Sequence, residues 1–403
     1  MQSNWKKTFG IIYAGQAFSV LGSAAVQFAI IWWLTVHTES AISLTTATIA
    51  GFLPMLLIGP FAGVWVDRFN RRTVMMAADG FVALSSVLLA VVFLQTETPP
   101  LWFIYLVLFL RGLGSTFHMP AMQAAMPLLV PMEMLEKAGG WSNLISSLSN
   151  MLGPVIGAAL MSLFPIAAIM LVDILGAVFA VLCLAFVRIP DVPRSAQKRT
   201  VGTDLKQGFT ALRANKPLMA VFFPMLLANL VFMPLGALYP LLVRTHFGGS
   251  AWHNSAAEFV FAGGLLVSSL IMGVWGGMKR RFLMISLAIG GLGLTSALSG
   301  LLPAEAFWAF LILCFFMGSS GTFVNVPLMA YTQQTIAPDV LGKVLSLLMT
   351  ASTIAMPVGL VIAGPVSEMV GIDTYFLWSG VASMLTGVYC WLSTRRFDKP
   401  RQS

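Results

Sequence analysis

The chain has 403 residues, of which 58% are apolar and only 9% charged, with a net charge of +8. Soluble domains carry about 25% charged residues, so this composition cannot cover a water-exposed surface and excludes an ordinary soluble globule. The basic residues lie in separate short segments beside apolar runs, which excludes a concentrated patch for DNA or RNA.

Residues 1–8 are short, basic and without a cleavage site, so the first apolar run reads as a retained signal anchor. Apolar stretches then recur at 9–36, 42–66, 73–94, 102–127, 139–163, 165–188, 217–243, 256–277, 282–302, 306–330, 343–367 and 374–393. Runs of about 20 apolar residues cross a bilayer as helices. These are continuous rather than alternating, which excludes a membrane barrel. The expected fold class is an all-α membrane protein with twelve transmembrane helices.

Along the chain, the first span carries Gln16, Ser19, Ser23 and Gln27 at helical spacing, with Phe28, Trp32 and Trp33 near its end. Between spans two and three lies Gly63-Val-Trp-Val-Asp67-Arg68-Phe-Asn70-Arg71-Arg72, a charged turn at a membrane surface. Asp79 follows about two turns into span three. Arg111 sits midway along span four, where an arginine costs about 2.5–3.5 kcal/mol on insertion scales. Such residues face the bundle interior or water and carry function by default, or else pair two helices. Ser115 and His118 follow at i+4 and i+7, giving one polar stripe with Arg111. Span five is rich in Ser and Asn and then carries Gly153-Pro154-x-x-Gly157, where small residues allow close helix approach and Pro bends the helix. Asp173 lies midway in span six. Asp79 and Asp173 are both candidate counter-ions for Arg111, with structural pairing or proton coupling as their roles. A carboxyl removed from water is favoured in its neutral form unless a partner compensates it, the property a proton carrier needs.

Residues 189–216 form the one long polar stretch. They divide the chain into a first half, 1–188, and a second, 217–403, each with six spans. Asn229 lies in the seventh span, Glu258 near the end of the eighth, and Thr322 and Asn325 in the tenth. The halves echo each other. Gly273-Val-Trp-Gly-Gly277-Met-Lys279-Arg280-Arg281 is a degraded copy of the charged turn, and Gly112-x3-Thr116-Phe117 returns as Gly318-x3-Thr322-Phe323. Parallel duplication of this kind marks two bundles related by an axis along the membrane normal, with a midplane site between them.

With the N-terminus inside, every Lys and Arg except Arg111 and Arg244 falls in a cytoplasmic segment. The positive-inside rule therefore sets both termini in the cytoplasm. Cys183, Cys314 and Cys390 all lie within spans, against a disulfide framework. No phosphate-binding loop of the G-x-x-x-x-G-K-[ST] type occurs, so an ATP-driven pump would need a separate ATPase subunit. No metal or catalytic constellation and no cofactor motif is present, and His37, His118, His246 and His253 do not stand at ligand spacing.

The charged turn resembles the glycine–aspartate–basic signature between helices 2 and 3 of the major facilitator superfamily, with Asn70 where that signature usually has glycine. The resemblance implies a latch of Gly63, Asp67, Arg68, Arg71 and Arg72, and proton coupling at Arg111 with Asp173 or Asp79. Gly153, Pro154 and Gly157 resemble that superfamily's antiporter motif in helix 5. The cavity-lining spans implied by the resemblance would place Gln16, Gln27, His118, Asn229 and Asn325 at the substrate. More narrowly, Ala14-Gly15-Gln16-Ala17, Gly51-Phe52-Leu53-Pro54, Pro127-Leu-Leu-Val-Pro131, Val187-Arg188-Ile-Pro190 and Leu341-Gly-Lys-Val344 resemble the macrolide-efflux branch of the drug:proton antiporters. That likeness implies export of macrolides across the bacterial inner membrane in exchange for protons, by alternating access. Export of another amphipathic compound such as a siderophore is the same-fold alternative, and a non-transporting membrane sensor the alternative from another class.

Overall fold

The structure is a computed structural model describing residues 5–66, 68–187 and 201–398. Among the described residues the regular structure is helical, and twelve helices are long and apolar enough to cross a membrane. The chain is a multi-pass membrane protein. In order they are α1 (Trp5–Thr38), α2 (Ala41–Val66), α3 (Arg71–Gln95), α4 (Leu101–Leu129), α5 (Leu135–Leu163) and α6 (Ile166–Ala185). A short helix, α7 (Val201–Ala214), then precedes α8 (Lys216–Leu241), α9 (Ala251–Trp275), α10 (Arg281–Leu301), α11 (Phe307–Thr335), α12 (Pro338–Val370) and α13 (Ile372–Thr394).

The helices overrun the apolar stretches that announce them. α12 starts at Pro338 rather than 343, and its 33 residues extend about 50 Å at about 1.5 Å per residue, against a hydrocarbon core of about 30 Å. Hydropathy marks only the part of a helix that needs to be apolar, whereas the hydrogen-bond ladder continues into the polar margin. Proline follows the same logic: Pro338 begins α12, where its missing N–H costs nothing.

Burial is inverted relative to a soluble protein. Leu94, Val274 and Trp308 are largely exposed, while Gln16, Arg111 and Asp173 are buried. Exposed apolar flanks suit lipid, and the buried polar groups must then find partners inside.

The chain forms two compact units, Met1–His37 with Thr46–Ala196, and Thr38–Thr45 with Gln197–Ser403. In the first, α3 packs on α4 and α6. In the second, α9 packs on α11, α10 on α11 and α13, α8 on α12 and α13, and α7 on α12. Residues Thr38–Thr45 are held in the second unit through their own polar ends. Glu368 accepts from the Ile42 N–H at 3.1 Å and from the Ser40 hydroxyl, and Glu39 pairs with Arg244 at 3.2 Å. A carboxylate at the start of α2 satisfies an N–H that the helix itself leaves open.

The sequence echo between the halves has a packing cause. A Cβ built on Gly112 of α4 would lie 2.1 Å from the Gly51 carbonyl oxygen of α2, and one on Gly318 of α11 would lie 2.0 Å from the Phe261 oxygen of α9. The same pair of helices in each half thus touches backbone to backbone, which only glycine permits. Met317 stands before Gly318 where Arg111 stands before Gly112. Its sulfur receives the Tyr239 hydroxyl at 2.5 Å, so the second copy keeps the crossing and drops the charge.

Candidate functional site

Arg111 and Asp173 form an ion pair between α4 and α6, and both are buried. The Arg111 Nη1 also donates to Ser86 Oγ of α3 at 2.6 Å, and Ser86 in turn donates to Asp173 Oδ2 at 2.7 Å. Ser23 of α1 donates to the other oxygen, Oδ1, at 2.5 Å, while Arg111 Nη2 reaches the Ser23 carbonyl at 3.3 Å. Four helices therefore meet at one layer in which each carboxylate oxygen of Asp173 has a donor. A buried pair persists only when its remaining lone pairs and protons are matched in this way.

Asp79 is not part of that layer. Its Oδ2 accepts from Gln16 Nε2 of α1 at 3.2 Å, and its Oδ1 lies 3.4 Å from His118 Nε2 of α4. All three side chains are buried. Gln16 Oε1 and His118 Nε2 are buried without a hydrogen-bond partner, so this second layer holds unused bonding capacity.

The two layers repeat at a spacing of seven residues on three helices: Gln16 and Ser23 on α1, Asp79 and Ser86 on α3, His118 and Arg111 on α4. Seven residues fall about 20° short of two turns and advance about 10 Å along a helix, which keeps each pair on one face. Ser115, four residues from Arg111, rotates off it and is exposed. On α6 the residue seven beyond Asp173 is Ala180, fully buried, so α6 adds no polar group to the second layer; its fourth is Ser19 of α1, buried and hydrogen-bonded to Asp79. The helices are drawn close enough by small residues. A Cβ on Gly15 of α1 would meet Cys183 and Ala180 of α6, and one on Gly176 of α6 would meet the Ser19 backbone.

Gly153 and Gly157 place α5 against α1. Cβ atoms built there would come within 2.6 Å of the Ala24 Cβ and 2.7 Å of the Ala25 oxygen. Pro154 stands between them inside the helix.

At the charged turn, Asp67 lies outside the described residues. Gly63 lies in the last turn of α2 with open space at its Cβ position, and Arg68 is exposed. Arg72 donates to the Ala185 carbonyl at 2.8 Å, at the C-terminal end of α6 where carbonyls lack helical donors. Arg71 begins α3. Asn70, the departure from the resembled signature, caps α3: its side-chain oxygen accepts from the N–H groups of Arg72 at 3.0 Å and Thr73 at 3.4 Å. In the second half the N-cap residue of α10, Arg280, makes no side-chain cap bond. Asp398 from the chain's end accepts instead from the Phe282 and Leu283 N–H groups of α10, at 3.2 and 2.9 Å.

Of the expected cavity residues, Gln16 and His118 are the partners of Asp79 just described. Gln27 is half-buried in α1. Asn229 donates to Ser352 at 3.1 Å within the second unit, and exposed Asn325 donates to the Gly321 carbonyl at 3.0 Å. Glu258 accepts from Asn254 at 2.8 Å, one turn earlier on α9. Among the described residues no cluster suited to a metal ion is found.

Ser86 was not legible in the sequence. One serine in an apolar span is commonplace, and only its seven-residue offset from Asp79 marks it. Asp398 and Glu368 likewise gave no signal, because long-range caps have no local pattern.

Comparison with known proteins places the chain in a family. The sequence profile of the Major Facilitator Superfamily matches residues 12–278 and 252–403. The chain is 38% identical over 390 residues to macrolide efflux protein A of Streptococcus pyogenes, covering 96% of each chain. It is 37% identical over 315 residues to macrolide efflux protein A of Enterococcus faecalis, covering 78% of this chain and 97% of that one. Among solved structures, a bacterial homologue of the human lysosomal transporter Spinster superimposes with a TM-score of 0.73 at 13% identity, over 100% of this chain and 99% of the other.

Proposed function

The chain belongs to the Major Facilitator Superfamily, in its macrolide-efflux branch, and we propose that it exports macrolide antibiotics from bacteria in exchange for protons. The likeness to the two efflux proteins runs across the chain, and it alone carries the substrate. Coupling to protons is supported by the buried carboxylates of the first unit. Arg111, Asp173 and Asp79 sit inside membrane-crossing helices, where ionisable groups are expensive and mark proton relays.

In this reading the termini face the cytoplasm, as the distribution of Lys and Arg supports. A macrolide is taken up from the cytoplasm or the inner leaflet and released outside by alternating access. A proton from outside binds in the first unit and returns the empty transporter to the inward-facing state. The cytoplasmic turn with Gly63, Asp67, Arg68, Arg71 and Arg72 acts as the latch between states. Its partners in this reading are the bilayer, the macrolide and the proton.

The test is transport in proteoliposomes. An imposed pH gradient is expected to drive labelled erythromycin uphill against the proton flow, and an ionophore that collapses the gradient is expected to stop it. Transport that ignores the gradient overturns the proton coupling, and failure to move any macrolide overturns the substrate.

A further inference from the structure

Two polar layers lie in the first unit, and their bonding differs. In the Arg111 layer, Asp173 has a hydroxyl or guanidinium donor on each oxygen. The pair is neutral as a whole and complete without any further proton. Adding one would break the ion pair and leave Arg111 uncompensated among apolar helices, an outcome that burial strongly disfavours.

The Asp79 layer is incomplete. His118 Nε2 lies 3.4 Å from Asp79 Oδ1 and has no hydrogen-bond partner, while the Ser19 hydroxyl of α1 is a further donor to the Asp79 carboxylate. An unprotonated imidazole nitrogen and a carboxylate oxygen are both acceptors, and two acceptors do not bond without a hydrogen between them. Gln16 adds a feature suited to a group that changes state. Its amide donates to Asp79 Oδ2, while its own oxygen is buried and unpartnered. A side-chain amide can donate to a carboxylate and, turned over, accept from a carboxylic acid.

We infer that the exchanged proton is held between Asp79 and His118, with Gln16 answering both protonation states, while Arg111 and Asp173 remain a fixed ion pair that holds the helices in register. This rests on the proton-antiport reading above and narrows it. The proton occupies the Nε2–Oδ1 line when no macrolide is bound and leaves toward the cytoplasm when the macrolide binds. No bond other than those to the proton changes.

The surroundings fit that division. The other titratable or charged groups on these four helices are Lys6, Lys7, Tyr13 and His37 on α1, Arg71 and Arg72 on α3, Tyr105 and Arg111 on α4, and Asp173 and Cys183 on α6. Arg111 and Asp173 neutralise each other, so His118 is the cation, when protonated, that faces Asp79. The α6 position of this layer is Ala180, which supplies no donor, so the neutral donors to Asp79 are Gln16 and Ser19 of α1.

The experiment has two arms on the full-length protein in detergent. In the first, erythromycin is added in weak buffer and proton release is read with an indicator dye, with erythromycin binding measured in parallel. Wild-type protein is expected to release protons for each macrolide bound, whereas His118→Gln and Asp79→Asn, compared at erythromycin concentrations that give equal bound macrolide, release none above the dye blank. If the wild type releases none, the antiport reading itself fails. If it does and His118→Gln releases as much, antiport stands and this assignment is overturned. In the second arm, unmodified protein is treated with dicyclohexylcarbodiimide, which attacks protonated buried carboxyls, and the labelled peptide is found by mass spectrometry. This arm needs no variant to fold. Labelling at Asp79 but not Asp173, suppressed by erythromycin, is expected; labelling of Asp173 or of neither overturns the inference.

Discussion

Asp173 of α6 pairs with Arg111 of α4, and Ser86 of α3, the helix packed on both, is hydrogen-bonded to both. Three helices are thereby tied at one point, with α1 added through Ser23. Removing one member strands the other. Asp173→Asn is expected to destabilise the protein by about 3–5 kcal/mol, the range seen when a buried pair is broken. Replacing both partners, as in Arg111→Met with Asp173→Leu, is expected to recover most of that loss, because the desolvated charges leave together. Thermal unfolding of the detergent-purified variants measures both. Equal losses in the single and double variants would contradict the pairing.

Gly112 and Gly318 make the closest helix crossings in the two halves. Gly112→Ala and Gly318→Ala each force a methyl into a carbonyl of the neighbouring helix. Each should cost at least the roughly 1–3 kcal/mol typical of overpacking. Gly321→Ala on the same α11, with open space around its Cβ position, should leave the unfolding temperature unchanged or slightly raise it. The three unfolding curves, measured side by side, check the crossing directly.

Asn70 is explained by capping rather than by backbone freedom. Its φ of −64° is ordinary, so glycine is not required there. Loss of an N-cap side chain to alanine costs about 0.5–2 kcal/mol, and to glycine only a few tenths. Asn70→Gly should therefore stay near wild type in unfolding temperature, and Asn70→Ala should fall below it. The reverse order would show that the turn needs something other than a cap.

The membrane helices were legible because each needs about 20 apolar residues, and composition alone exposes such runs. The duplication was legible for a different reason: Gly112 and Gly318 stand where backbones touch, and that constraint leaves a mark in sequence. The choice of counter-ion was not. Asp79 and Asp173 share a half with Arg111, and deciding between them requires knowing which faces of α3 and α6 point inward, which periodicity in nearly uniform apolar helices does not reveal. Gln16 and His118 read as cavity residues because polar groups in a span look alike whether they face a ligand or a buried carboxylate. Their shared offset of seven residues from Ser23 and Arg111 was present in the sequence, yet it becomes meaningful only once the helices are known to pack together.

The central claim is macrolide export driven by protons, and the most direct measurement is erythromycin accumulation in pump-deficient bacteria producing this chain, with and without a protonophore. The account predicts lower accumulation than in cells lacking the chain, restored to the control level by the protonophore. Accumulation equal to the control, with the protein shown to be in the membrane, would contradict macrolide export. Lower accumulation that the protonophore leaves unchanged would contradict the proton as its driving ion.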